Sequence, residues 1–341
     1  MFRKQISTWA VLLLIVFALA AVAVAGCGGS TTASSSSAPA ATTAATTMSA
    51  DQIVAQSEAK MKDVKSASFT GDMSLKVSGD PNKMTDPTSK AMLSQGISLH
   101  VEGKSQNQPV AADMKISLGL GGQTIDLSLL SQGTKSWVEY QGKWYAMDAK
   151  SAKSLSTQAQ TGAAPTEQLK SLGLNPSDWG TSYSLVGTEG MPGATVYHVK
   201  ATADPQKLAD ALMKAAKDPS LAKKLGGTSQ LKQLEQGLSQ NGQQAEQLKK
   251  SLKNVSVDYW IGVDDMLIHK ASFNAALDTK GQKGMTGIDG MTMGLDLTMA
   301  DFDQTVTVTP PANALPLKSL LNQMFGGLTT GSASSLGGTR P

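Results

Sequence analysis

Cys27 is the only thiol in the chain and the side chain best suited to covalent chemistry. With no second cysteine, a disulfide framework and a metal–thiolate cluster both lack partners, which leaves modification of the sulfur itself. The other chemistry-bearing residues do not assemble into a catalytic or metal-binding pattern. His100, His198 and His269 are far apart, and none has a second histidine at the i+4 spacing that puts two ligands on one helix face. Ser57-Glu58-Ala59-Lys60 has the S-x-x-K spacing of an acyl-serine enzyme, but its companion S-D-N and K-T-G elements are missing, so it is expected on a helix surface. There is no G-x-S-x-G. Asp264-Asp265 and Asp301/Asp303 suit turns and strand ends better than a calcium loop, which needs a longer run of oxygen ligands. The expectation is a chain that is not an enzyme, with no metal and no cofactor.

The residues around Cys27 indicate what its thiol is for. Arg3 and Lys4 give a positive start, and Trp9 to Ala23 form an apolar stretch too short for a membrane span. Val24-Ala25-Gly26-Cys27 then resembles the bacterial lipobox, in which small residues admit a signal peptidase and the cysteine sulfur carries diacylglycerol. Residues 1–26 are therefore expected to be a signal peptide and Cys27 the lipidation site. Residues 27–48 continue as a Gly/Ser/Thr/Ala stretch unable to bury enough apolar surface to offset the entropy of ordering. This tether has an r.m.s. span of roughly 25 Å.

Charge narrows the partners. Lys and Arg total 30 and Asp and Glu 27; setting Arg3 and Lys4 aside leaves 28 against 27, a net of +1. No dense basic run occurs, and no nucleic acid is expected. The expected contacts are the membrane, through the lipid on Cys27, and an envelope ligand or protein.

Downstream, the period of the apolar residues identifies the elements. Ser49 and Gln52 have capping-box spacing, and Ile53, Met61 and Val64 recur as on a helix that runs to about Lys65. The period then drops to two at Phe69–Val77, Ile97–Val101, Met114–Leu120 and Ile125–Leu129, as in half-buried strands. Trp137–Tyr140 and Lys143–Met147 flank Gln141-Gly142, a hairpin in which cross-strand aromatic pairs are expected. Strands are expected again at Tyr183–Gly187 and Ala194–Lys200 around Met191-Pro192-Gly193. Asp204-Pro205 has the form of a helix start. Leucines through Leu252 mark helical stripes, including a Gln/Lys-rich segment at 229–254. Strand periodicity returns at Val255–Ile261, Leu267–Leu277, Met291–Met299 and Thr305–Val308. About eleven antiparallel strands with helices give an α+β chain, and a twisted sheet of that size curls into an open barrel around helices.

Three stretches carry a family resemblance: Val186–Gly190 with Thr195–Val199, Val257–Ile268, and Leu295–Phe302 with Thr305–Pro310. Together they resemble LppX/LprG-type lipoproteins, within the wider class of LolA/LolB-like carriers. The resemblance covers residues 49–312 and leaves 313–341 as a short apolar segment and tail. It implies a half-open antiparallel β-barrel packed against helices, with an apolar cavity for the acyl chains of a lipid or glycolipid. By strand alternation, Met114, Ile116 and Leu118, Ile125 and Leu127, and Met291, Met293, Leu295, Leu297 and Met299 are the candidate lining residues. A competing reading keeps the same barrel filled by its own side chains, as a structural or sensory module that binds a protein or the cell wall.

Overall fold

The computed structural model describes residues 48–84, 87–152, 176–216, 249–281 and 287–320. The expected signal peptide, Cys27, the expected tether and most of the 229–254 segment lie outside the described residues, as does the stretch around Leu169 and Leu172, which the sequence marks as helical and ends at Gly173 and Asn175-Pro176.

Helix α1 (Ala50–Met61) begins at a complete capping box, with the Gln52 amide donating to Ser49 Oγ and the Ser49 amide to Gln52 Oε1. Then come β1 (Ser66–Gly79), α2 (Pro87–Gln95), β2 (Ile97–Asn107), β3 (Val110–Leu120), β4 (Gln123–Gln132), β5 (Lys135–Tyr140) and β6 (Lys143–Ala146). The second half contains β7 (Ser182–Met191), β8 (Ala194–Ala203), α3 (Pro205–Ala216), β9 (Leu252–Gly262), β10 (Ile268–Asp278), β11 (Ile288–Ala300) and β12 (Leu315–Pro316).

The strands form one sheet in the order β12-β6-β5-β4-β3-β2-β1-β11-β10-β9-β8-β7. Every pairing is antiparallel except β12 with β6. β7 and β12 are the two ends of the sheet and do not pair with each other, so the barrel stays half open. Its reversals are built by turn chemistry. Gln141-Gly142 takes positive φ at both positions (51° and 75°), as a type I′ hairpin requires, and Pro192-Gly193 places its glycine at φ 81°.

One face of the sheet is apolar, and α1 packs on it. Ala50, Ile53 and Val54 cluster with Tyr197, Val199 and Ile261, while Met61 and Val64 reach Phe69, Leu297 and Met299. The opposite face is polar and mostly exposed. At Asp204-Pro205 the helix start is as expected, with Asp204 Oδ1 accepting from the amides of Gln206 and Lys207 at 2.8 and 3.2 Å.

Four local expectations are corrected. Thr305–Val308 is not a strand. Its alternation is real, but Val306 and Val308 are buried against Ala111, Leu130 and Trp137 on the polar-side face, and no backbone ladder forms. Leu252, Lys253 and Asn254 are not helical but open β9. The hairpin aromatics do not sit opposite one another: Trp137 faces Ala146, Val138 faces Tyr145, Glu139 faces Trp144 and Tyr140 faces Lys143. Trp137 and Trp144 instead share one cluster under the strap formed by residues 301–314. Ser57 is not on a helix surface; it is 1% exposed on the packed side of α1, and its hydroxyl has no partner.

Candidate functional site: an apolar trough

Strand register unites the candidate lining residues. Leu118 pairs with Ile125 and Leu99, Ile116 with Leu127 and Val101, and Met114 with Leu129 and Gly103. β2 hands the pattern to β1, with Leu99 opposite Met73 and Val101 opposite Gly71. β1 hands it to β11, where Phe69, Gly71, Met73, Leu75 and Val77 face Met299, Leu297, Leu295, Met293 and Met291. Because paired residues point to the same side of a sheet, all ten candidates lie on the face that α1 packs on. The face continues through Ala271, Phe273, Ala275 and Leu277 of β10.

Burial divides the ten. Met291, Met293, Leu295, Leu297 and Met299 are each 8% exposed or less and pack into clusters with Leu75, Met73 and Phe69. Met114, Ile116, Leu118, Ile125 and Leu127 are only half-buried, as are Leu99 and Val101 beside them. The less buried candidates thus line the β2–β4 side, a trough whose packed bank is β1 and β11; beyond that bank Ala271, Phe273, Ala275 and Leu277 of β10 are half-buried as well. From Ala112 to Leu118 the floor runs about 20 Å along the strand, and the two strand intervals from β4 to β2 make it about 10 Å wide.

Gly71 lies in the bank, buried on β1, where a Cβ would meet Leu297 Cδ1 at 3.8 Å, an ordinary contact distance. Gly103 differs, because a Cβ would lie 2.3 Å from the Asp113 carbonyl oxygen; there the backbones approach too closely for any side chain.

Few polar groups interrupt this face. Tyr183 and Tyr259 pack beside α1, and burial is the main cause holding both phenols above the usual tyrosine range. Glu58 adds to both; Asp51 adds to Tyr183, and Tyr183 to Tyr259.

The polar face carries the histidines, each against a carboxylate. His100 Nδ1 lies 2.7 Å from Asp72 Oδ1, and His269 Nε2 lies 3.0 Å from Asp265 Oδ2. His198 sits between Glu189 Oε1 at 2.7 Å and Asp258 Oδ1 at 3.0 Å. It stacks on Trp260 at 4.6 Å between ring centroids, and Trp260 Nε1 donates to Glu189 Oε2. The Trp260 and His198 hydrogen bonds hold the Glu189 carboxyl below the usual range. These contacts tie β7 to β8 and β9.

Among the described residues no group of three or more His, Cys, Asp or Glu could hold a metal. A cleft of about 350 Å³ also lies on the polar face, lined by Ser68, Thr70, Glu102, Lys104 and Lys115, with Lys115 Nζ 3.0 Å from Glu102 Oε1. Its lining includes the charged side chains of Glu102, Lys104, Asp113 and Lys115, whereas the trough is the face that the sequence pattern anticipates. What the sequence did not give is the split between open floor and packed bank, because alternation reports which side of a strand is apolar, not what lies over it.

No family model matches the chain, and no curated protein does. Among solved structures it is similar to the lipoprotein LppX of Mycobacterium tuberculosis, with 13% identity, a TM-score of 0.34, and coverage of 75% of this chain and 96% of that one. LprF from Mycobacterium bovis gives 13%, 0.36, 77% and 97%. A DUF1329 family protein from Desulfovibrio piger gives 10%, 0.20, 75% and 92%. These identities and TM-scores are low, and the functional reading comes from the residues of the trough.

Proposed function

We propose that this chain is a lipid-anchored, extracytoplasmic binder or carrier of lipid or glycolipid acyl chains, held to the membrane by Cys27 and taking its ligand on the β2–β4 floor of the trough. The observation that carries the reading is the half-buried run Leu99, Val101, Met114, Ile116, Leu118, Ile125 and Leu127, contiguous by register on one face. Each methylene taken out of water is worth about 0.8 kcal/mol, so an apolar floor about 20 Å long binds a chain without any covalent step. Methionine at Met114 suits a variable ligand, since its thioether side chain adapts to irregular shapes.

The burial of Met291 to Met299 in clusters of protein side chains favours the second reading, a self-filled module with a protein or cell-wall partner. Two tryptophan substitutions separate the readings. Ile116→Trp projects into the open floor and should leave the denaturation midpoint nearly unchanged while lowering uptake of a fluorescent 16-carbon fatty acid. Leu295→Trp overpacks the bank and should cost roughly 1–3 kcal/mol of stability. If neither wild type nor Ile116→Trp takes up the probe, the self-filled module is the correct reading.

A further inference from the structure

The large apolar side chains left exposed among the described residues are Leu120 at 47%, Leu185 at 41%, Val186 at 56% and Leu315 at 50%. Register shows where three of them point. Leu120 pairs with Ile97, which pairs with Leu75 on the apolar face. Leu185 pairs with Val199, which packs beneath α1. Leu315 pairs with Tyr145, which pairs with Val138 and through it with Leu129. All three therefore project from the face that carries the trough.

Their positions around that face are its margins. Leu185 is on β7, the last strand at one side of the sheet, and Leu315 is on β12, the last strand at the other. Leu120 ends β3, at the glycine turn between the strands of the floor. Val186 lies beside Leu185, where the β7–β8 register shifts. Scattered exposed leucines are ordinary on a protein surface, but these stand on three sides of one apolar surface and are continuous with it.

We infer that this rim docks the trough against a lipid bilayer, so that an acyl chain passes between membrane and floor without crossing water. The inference rests on the acyl-binding reading of the trough. A bilayer is the occupant that fits: it is apolar over an area as wide as the sheet, and it needs no shape match at separate points. Lys143, exposed and paired with Tyr140 on the β5–β6 hairpin, places a cation at the margin beside Leu315, which suits a headgroup region. No helix among the described residues is long and apolar enough to cross a membrane, so contact of this kind would be peripheral.

The test uses the mature chain, residues 27–341 with Cys27→Ser, so that no covalent lipid holds it to vesicles; every described element lies between 48 and 320. Flotation with phosphatidylcholine vesicles is measured for this chain and for the same chain carrying Leu120→Ser, Leu185→Ser and Leu315→Ser. Uptake of the fluorescent 16-carbon fatty acid from solution is measured in parallel. The expected result is flotation of the parent and a loss of about tenfold or more in the triple variant, with uptake from solution within about twofold. Equal flotation of both chains, or none by the parent, overturns the rim. Uptake without flotation overturns the rim and leaves the trough reading standing. Rim-dependent flotation without uptake supports the rim and removes the acyl ligand. A triple variant that loses both uptake and its cooperative melt is replaced by Leu120→Ser alone, for which an unchanged flotation overturns the proposal.

Discussion

At the scale of single residues, the phenols of Tyr183 and Tyr259 are the informative exceptions on the apolar face. Their hydroxyls are held neutral by burial, and the unfolded chain would ionise them near pH 10. Since the folded pKa lies above the unfolded one, the stabilisation is complete below about pH 10 and is lost as pH rises through the folded values. The melting temperature should fall above about pH 10, and Tyr259→Phe should fall less steeply over the same range. Parallel slopes for the two proteins would show that Tyr259 contributes nothing there. Residue types told little of this in advance. Ser57 looked like a surface serine because S-x-x-K says nothing of which side of α1 meets the sheet, and the histidines' carboxylate partners come from other strands or turns.

Secondary-structure elements were more legible, for a physical reason. A strand with one wet face and one covered face writes that difference into every second residue, so β1 to β4 and β8 to β11 can be read from Phe69–Val77 through Met291–Met299. The elements missed are those whose formation depends on pairing or context. β12 is two residues, Leu315–Pro316, too short for any period. α2 could have been found from Asp86-Pro87, the same start that marks α3 at Asp204-Pro205. The strap was misread because its alternation is packed against the sheet, not paired within it. Asp301 and Asp303, both at positive φ, start it: Asp301 Oδ2 accepts from Ser68 Oγ at 2.8 Å and Asp303 Oδ1 from the Lys65 amide at 2.7 Å. Gln106 Oε1 then accepts from the Val306 amide at 2.9 Å. If the strap anchors through its apolar contacts, Val308→Ala should cost about 1–2 kcal/mol in denaturant melts, and Thr307→Ala, at an exposed position, under about 0.5. Equal small losses would show that the strap is held by its polar pins.

At the scale of the whole molecule, the proposed function has a sheet with an apolar trough kept beside a membrane by one thioether at Cys27. Because this chain offers the lipobox chemistry a single acceptor, Cys27→Ser should abolish metabolic labelling with radioactive palmitate; labelling that persists would refute the anchor. The strand order also shows that the sheet is two meanders, β1 to β6 and β7 to β11, stitched together along β1 and β11. Within each meander, neighbours in space are neighbours in sequence, and most of their connections are short, the long one being the helix-containing link from β8 to β9. The stitch joins residues such as Ser68 and Asp301, 233 positions apart, and closing a loop of that length is slow. Folding should therefore proceed as two quickly zipped halves that meet late, with the packed bank of the trough, Met291 to Met299 against Phe69 to Val77, as the last surface to close. Until that docking, both halves expose their most apolar strands at once, and a newly made chain is most prone to aggregate in that interval.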